Sequence, residues 1–374
     1  MKIGIVGGGV FGTSAAYALA KRDHDVYLFE RETPLFEDAA SFDISKAIRF
    51  EYGAMTTDYL PFVEQAFSLW NELEKDAGEH VLHQTGMLFL SESDDDDSFE
   101  MQSHLRLKET PYANSLLSPK EGEKRWPQFS WSTVKVAVHN ALGGWLEATE
   151  AVGLLRRGAV KNGARVMCEN IAEVTEDGGA VQVQSNNAHY TFDHVVVAAG
   201  SWIRELLPQV SAHCEVTRQQ ICFFKPEAPA LFSSPHFPVW AYDIENRGWY
   251  GFPLHHSGLL KMASHRKTDP VHTKRDPHCD PTFFAESKTF VAGAIPPLKG
   301  QVPHSGRVCW YTNSPFGHPV VDFLPGTARV IIAGFGSGHA FKFGPFWGEC
   351  VASLLKAENT PKLFHFDYKG NTAI

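Results

Sequence analysis

The stretch that most narrows the possible folds is the opening one, MKIGIVGGGVFGTSAAYALAKRDHDVYLFER. An alternating apolar run over residues 2–6 ends in Gly7-Gly8-Gly9-Val10-Phe11-Gly12 and passes straight into TSAAYALAKR, a good helix former. Gly7, Gly9 and Gly12 therefore satisfy G-x-G-x-x-G with a strand before and a helix after, the context in which that spacing has a mechanical meaning. The first glycine permits a tight turn, the second lets backbone N–H groups approach a pyrophosphate, and the third lets the helix pack close to the strand. The helix N-terminus then favours the anion. DVYLFER reads as the next strand, and Glu30 at its end is placed to accept hydrogen bonds from a ribose diol. A dinucleotide site is predicted here.

An acid at that position suits NAD or FAD, so the choice rests on the remaining chain. FDHVVVAAGSW (192–202) is a buried strand running into Gly200. ARVIIAGFGSGHAFKFGPFWGECVASLLK gives another buried strand, a glycine-rich turn and a helix near the C-terminus. Sheet-and-turn segments spread along the whole chain suit one FAD wrapped by a discontinuous domain, whereas an NAD domain is more often a contiguous block. Residues 149–166 read as a helix feeding a further strand. Between these segments, residues 86–92, 134–140, 218–225, 239–244, 249–252 and 259–263 are rich in aromatic and β-branched residues and punctuated by Pro and Gly, as strands are. The predicted fold is α/β. A discontinuous Rossmann-like FAD-binding domain spans 1–85, 145–215 and 305–374, and a mostly antiparallel β-sheet substrate domain spans 86–144 and 216–304.

Composition removes several alternatives. A formal charge of −9, with the 34 Lys and Arg residues scattered, argues against a nucleic-acid partner. Six cysteines without a C-x-x-C suggest reduced thiols rather than a disulfide framework. No signal peptide is read at the N-terminus, and no apolar run approaches the ~20 residues that cross a bilayer. A soluble, cytoplasmic protein is expected. The histidines at 255, 256, 265, 272 and 278, with Cys279, match no common metal-ligand spacing, and no metal is expected.

Several motifs, in order along nearly the whole chain, resemble the monomeric sarcosine oxidase and fructosyl-amine oxidase (amadoriase) group of flavin amine oxidases, within the D-amino-acid-oxidase-like superfamily. They are GIVGGGVFGTSAAYALAK, SFDISKAIRFEYG (41–53), KRWPQF (124–129), VVVAAGSW, WYGFPLHHSGLLKMASH (249–265), RVCWYTNSP (307–315) and GSGHAFKFGP (336–345). The first is common to many flavoproteins, and the segments around Cys309 and Lys342 are far more specific.

The resemblance implies an FAD-dependent oxidase of secondary amino acids, giving an imine that hydrolyses, and hydrogen peroxide. Its partners would be a small-molecule amine and oxygen, and the family habit is a monomer. It implies FAD attached covalently through Cys309, although in isolation Cys309 is equally a small hydrophobe in a strand. Lys261 matches a lysine over the flavin that promotes reaction with oxygen, where an ammonium stabilises nascent superoxide. Lys342 matches a cation near the flavin pyrimidine edge and the substrate carboxylate. Gly336, Gly338 and His339 come with it, and Ser41, Arg49 and Gly200 fall on cofactor-binding segments. His265 and Tyr250 match residues lining the substrate cavity, or are core residues. Sarcosine-type members carry arginine where this chain has Lys46, while Asp43, Lys46 and Arg49 reproduce the Asp-x-x-Lys-x-x-Arg pattern of fructosyl-amine and saccharopine-type oxidases. This points to a larger secondary amine, such as a fructosyl amino acid. The alternatives are an oxidase of sarcosine, other N-methyl or cyclic amino acids, and a dehydrogenase passing electrons to an acceptor other than oxygen.

Overall fold

A computed structural model describes residues 1–32, 35–266, 268–271 and 276–372. The strand Lys2–Val6 lies inside a six-stranded sheet ordered Val320–Phe323, Val330–Gly334, His194–Val197, Lys2–Val6, Asp25–Glu30 and Arg165–Cys168. Every pairing is parallel except that of the edge strand Val320–Phe323. Its strands read as continuous apolar runs because both faces of a parallel sheet are covered. On one face the helices Val10–Ala20 and Gly344–Leu355 pack together, joined where the Ser14 hydroxyl donates to the Gly344 carbonyl and accepts from the Gly348 N–H (2.5 and 2.8 Å). An antiparallel meander, Ile171–Asp177, Ala180–Ser185 and His189–Phe192, covers the other face through Val181, Val183 and Phe192.

The turn between the first strand and first helix is where glycine is indispensable. Gly7 has φ +108°, and a Cβ there would stand 2.4 Å from the Ala198 carbonyl oxygen. A Cβ on Gly12 would stand 1.8 Å from the Gly7 oxygen, so the helix closes onto the turn only without one.

The second large sheet has eight strands, ordered Ser305–Asn313, Glu215–Phe224, Leu260–Ser264, Trp249–Gly251, Val239–Tyr242, Met87–Ser91, Val136–Asn140 and Ser115–Leu117. Only the Val239–Tyr242/Met87–Ser91 pair is parallel. Residues 305–313, which carry Cys309, thus pair with Glu215–Phe224 in this sheet. Register decides which side chains share a face. The partnerships Gln219–Cys309, Phe223–Lys261, Ala263–Tyr250, Tyr250–Ala241 and Ala241–Phe89 put Cys309, Lys261, Tyr250 and Phe89 on one side. Cys222, Met262, Trp240 and Leu88 point the other way and pack with Phe283, Phe290 and Val291 of the helix Pro281–Ala294. The side left uncovered by that helix looks toward the six-stranded sheet.

A small third sheet, Lys46–Ile48, Gly144–Leu146 and Leu82–His83, delivers Lys46 and Arg49 to the gap between the two large ones. The long helix Thr56–Ala77 closes that side with Tyr59, Val63 and Trp70 buried, and the Trp70 indole N–H donates to the Lys342 carbonyl (2.7 Å). Among the described residues no helix is long and apolar enough to cross a membrane.

Candidate active site

One cavity of about 400 Å³ runs from the glycine turn to the inner face of the eight-stranded sheet. At the nucleotide end it is lined by Gly7, Gly9, Glu30, Ser41 and Gly200. Glu30 is held by two backbone donors, the Gly8 and Arg31 N–H groups (2.7 Å each), and Ser41 Oγ accepts from the Val10 N–H at the helix start (3.0 Å). Gly336, Gly338 and His339 line the middle, and Lys46, Arg49, Tyr250, Lys261, His265 and Lys342 the inner end. Two of the residues singled out by sequence are not in the lining. Gly12 lies under the turn, where it serves the packing. Cys309 is buried with Ile221, Phe223 and Ala263, with Tyr250 and Tyr311 against the cluster.

The inner end contains two cationic pairs. Lys261 donates to Asp43 Oδ2 (2.6 Å) and to the Ser45 carbonyl (2.5 Å), and Lys46 donates to the same Oδ2 (2.8 Å). Arg307 Nη1 stands 4.0 Å from that oxygen. Burial opposes ionisation of Asp43, but Lys261, Lys46 and Arg307 outweigh it and hold the carboxyl well below the usual carboxylate range. Burial pulls Lys261 down to about 7, with Asp43 acting against the shift and Lys46 adding to it. For Lys46 burial is the largest single influence and lowers the pKa, but Asp43 together with Cys309 and Tyr250 outweighs it, and the pKa lies above the ordinary lysine value.

The second pair is Arg49 and Lys342. Lys342 is buried and donates to Tyr52 OH and to the His339 carbonyl, both at 2.7 Å. Arg49 lies over the Tyr52 ring, 4.6 Å from its centroid, and its Nη1 is buried without a hydrogen-bond partner. The neighbouring acid, Glu51, is occupied by Asn114 and Asn140 (3.1 and 2.9 Å). Among the described residues neither cation is ion-paired to a carboxylate. Burial, reinforced by Arg49, drives the Lys342 pKa well below the lysine range. His265 is pushed to about 4 by burial and then by Arg49 and Lys342, so it is neutral near pH 7. His339 is also neutral, lowered by burial and by Lys342. Its Nε2 contacts the Gly317 carbonyl (2.8 Å), which fixes that nitrogen as the donor and leaves Nδ1 to accept from Tyr52 OH (3.3 Å).

Tyr52 and Tyr311 are parts of the site that motif reading did not single out, and Asp43, named there only as part of the Asp-x-x-Lys-x-x-Arg pattern, proves to be the shared partner of two lysines. Asp43 lies three residues before Lys46, a visible acid–base pair, but Lys261 reaches it from 218 positions away. Tyr311 follows from strand alternation, two residues beyond Cys309 on the same face. Of the histidines, His265 reaches the cavity. His278 pairs with Asp276 at the surface, and His272 lies outside the described residues.

These features fit a dinucleotide cofactor whose ring system would lie toward the inner end of the cavity. The glycine turn at the start of the helix, Ser41 beside it and Glu30 at the end of the next strand all line one end of the cavity, where a pyrophosphate and a ribose would be held. The family model for FAD dependent oxidoreductases (DAO) matches residues 2–354. This chain belongs to that family. As a family member it uses FAD. It is similar to a monomeric sarcosine oxidase of Bacillus sp. (strain NS-129), 28% identical over 373 residues, covering 95% of this chain and 93% of the relative. It is also similar to an N-methyl-L-tryptophan oxidase of Yersinia pestis (strain Pestoides F), 26% identical over 371 residues with 96% and 95% covered. Among solved structures, a thermally stable mutant of fructosyl peptide oxidase superposes with a TM-score of 0.86 at 18% identity, over 99% of this chain and 94% of that one. At that identity the match speaks for the fold.

Proposed function

We propose that this FAD-dependent oxidoreductase is an oxidase of N-substituted amino acids whose carboxylate is received by Arg49 and Lys342. The observation that carries the reading is this pair of cations without a carboxylate partner, at the inner end of a cavity whose wall is apolar. Met87, Phe89, Val239, Ala241, Ile244 and Phe252 form that wall. An arriving carboxylate would supply the missing counter-charge and restore the proton that burial makes Lys342 reluctant to hold. When bound, FAD supplies the two-electron chemistry, removing a hydride equivalent from the N–CH bond and returning the electrons to oxygen as hydrogen peroxide. The chain's part is to orient and to exclude water. Arg49 and Lys342 fix the carboxylate, so the amine end is directed along the wall. His265 and Tyr250 enter the cavity uncharged, His265 by its lowered pKa and Tyr250 because burial lifts its hydroxyl to about 12. Neither competes with the cations for the substrate's charge. Lys261, whose ammonium form Asp43 favours against burial, is the group assigned to anionic oxygen species.

The apolar wall supports an N-methyl amino acid with a hydrophobic side chain as the best substrate. A fructosyl amino acid is the second reading, favoured by the Asp43, Lys46, Arg49 pattern. Anaerobic bleaching of the flavin band by N-methyltryptophan, sarcosine and fructosyl-glycine at matched concentrations separates them. Fastest bleaching by N-methyltryptophan supports the first reading and fastest bleaching by fructosyl-glycine the second. Bleaching by none of the three overturns the assignment.

Cys309 is the residue assigned to the covalent thioether, supported by its place on the face that carries Lys261 and Tyr250. Acid-precipitated enzyme should keep flavin fluorescence, and the Cys309→Ser variant should lose it to the supernatant.

A further inference from the structure

Away from the flavin cavity, one cluster gathers groups that the proposed reaction does not use. Glu147 follows the strand Gly144–Leu146 and precedes the helix Ala148–Lys161, and three imidazoles converge on it. His255 Nε2 lies 2.8 Å from Oε2, while His83 Nε2 and His256 Nδ1 lie 3.1 and 3.4 Å from Oε1. One imidazolium would neutralise this carboxylate, so three rings from two distant segments exceed what charge balance needs. Ligand atoms of Glu147, His255 and His256 all lie within 4.8 Å of one another.

We propose that Glu147, His255 and His256 form a binding site for one divalent transition-metal ion of the zinc type, with solvent completing the coordination. Two imidazole nitrogens and one carboxylate oxygen suit Zn²⁺, Co²⁺ or Ni²⁺ rather than Mg²⁺ or Ca²⁺, which take oxygen donors. Bonds of about 2.0–2.1 Å in a tetrahedral site separate donors by roughly 3.3 Å; the two imidazole–carboxylate spacings are 2.8 and 3.4 Å, and all the ligand atoms lie within 4.8 Å of one another. The supporting shell is also in place. Without the ion the Ser257 N–H donates to His255 Nδ1 (3.2 Å), so Nε2 carries the ring proton that faces Glu147; ligation through Nε2 would move that proton to Nδ1, where Ser257 Oγ (2.7 Å) would accept it. His83 steadies Oε1, and its ring stacks on Trp145 at 4.3 Å. His255 and Glu147 are nearly buried, whereas the His256 side chain is 75% exposed and opens the site to solvent.

The role that follows is structural. His255 and His256 sit between the strands that carry Tyr250 and Lys261. On the other side, two residues past Glu147, the Thr149 N–H and Oγ1 donate to the Asp43 carbonyl (3.1 and 3.0 Å). The ion would clamp the element presenting Lys261 to the element presenting Asp43.

The test uses untagged, flavin-loaded enzyme stripped with a chelator and titrated with ZnCl₂ near neutral pH, by calorimetry and by thermal unfolding. The expected result is one zinc per chain, a raised unfolding temperature and no effect of MgCl₂. His256→Ala, at an exposed position the fold does not depend on, should weaken zinc binding by more than about tenfold. Glu147→Gln should do the same. Absence of stoichiometric binding, or undiminished affinity in His256→Ala, would overturn the proposal. Neither readout involves turnover, so the result is independent of the amine oxidised.

Discussion

Lys46 and Lys261 share the carboxylate of Asp43, whereas Arg49 and Lys342, lining the same cavity, have a phenol, one backbone carbonyl and an aromatic face. The first pair has a counter-ion within the chain, and both lysines reach it without any ligand. The second is left for a ligand to compensate. A buried cation without a counter-ion is costly, and such a cost is sustained at functional sites. The contrast predicts that the two pairs fail in different ways when altered: the first in stability, the second in binding and turnover.

The largest effect should follow Asp43→Asn. It keeps the shape of the side chain but leaves two buried ammonium groups facing a neutral amide. Removing one partner of a buried ion pair costs about 3–5 kcal/mol, which urea denaturation would register as a lower midpoint. The matching change on the other side, Lys342→Met, removes a buried amine that has no counter-ion and whose charged form burial disfavours, and should leave the apoprotein's stability level or higher. Its penalty should be a fall in kcat/KM of roughly 10²–10³, the usual cost of losing a charged donor at the reacting end of a site. Equal destabilisation by the two substitutions would erase the distinction between the pairs.

Next in size is the response of Lys261 to pH. Its folded pKa, about 7, lies below the unfolded lysine value of about 10.4. Between those values the unfolded chain holds the extra proton, so the stability cost of burying Lys261 is full below about 7 and is relieved as pH rises through that window. Catalysis runs the opposite way, because the ammonium is the useful form. The rate of flavin reoxidation by oxygen should fall as pH is raised through about 7. In Lys261→Met it should be about 10²-fold lower and independent of pH over that range, while flavin reduction by the amine is spared. A pH profile that survives the substitution would assign the titration to another group.

What could be read from the sequence follows from how local each signal is. The strands Lys2–Val6, Asp25–Glu30 and Leu260–Ser264 announce themselves as short apolar runs, and the turn through Gly7 and Gly12 as a place where a Cβ cannot stand. The lysines at 46, 261 and 342 came from motif resemblance, and all three line the cavity. The ion network among them was not legible, because Asp43 meets Lys261 only after two sheets have packed together. The histidine cluster was hidden for the same reason. Spacing among His255, His256 and their sequence neighbours carries no metal signature, since the carboxylate that gathers them is 108 residues away. The depth of Cys309 is likewise set by neighbours on other strands, Ile221, Phe223 and Ala263.

The smallest effect tests whether the second cation pair is held in place by its surroundings or only by its ligand. Tyr52 OH accepts from Lys342 and passes its own proton toward His339 Nδ1, so one hydroxyl sets both the lysine and the histidine tautomer. Tyr52→Phe preserves the ring under Arg49 and deletes only that link. The Lys342 ammonium would keep its bond to the His339 carbonyl, and the loss should be that of one hydrogen bond, about 1 kcal/mol or roughly fivefold. Because the hydroxyl positions the cation and does not touch the reacting bond, the change should appear mainly in KM, with kcat nearly preserved and Lys261-dependent reoxidation unaltered. A loss as large as that of Lys342→Met would mean that the lysine has no fixed position without the phenol, and that the ligand alone does not order it.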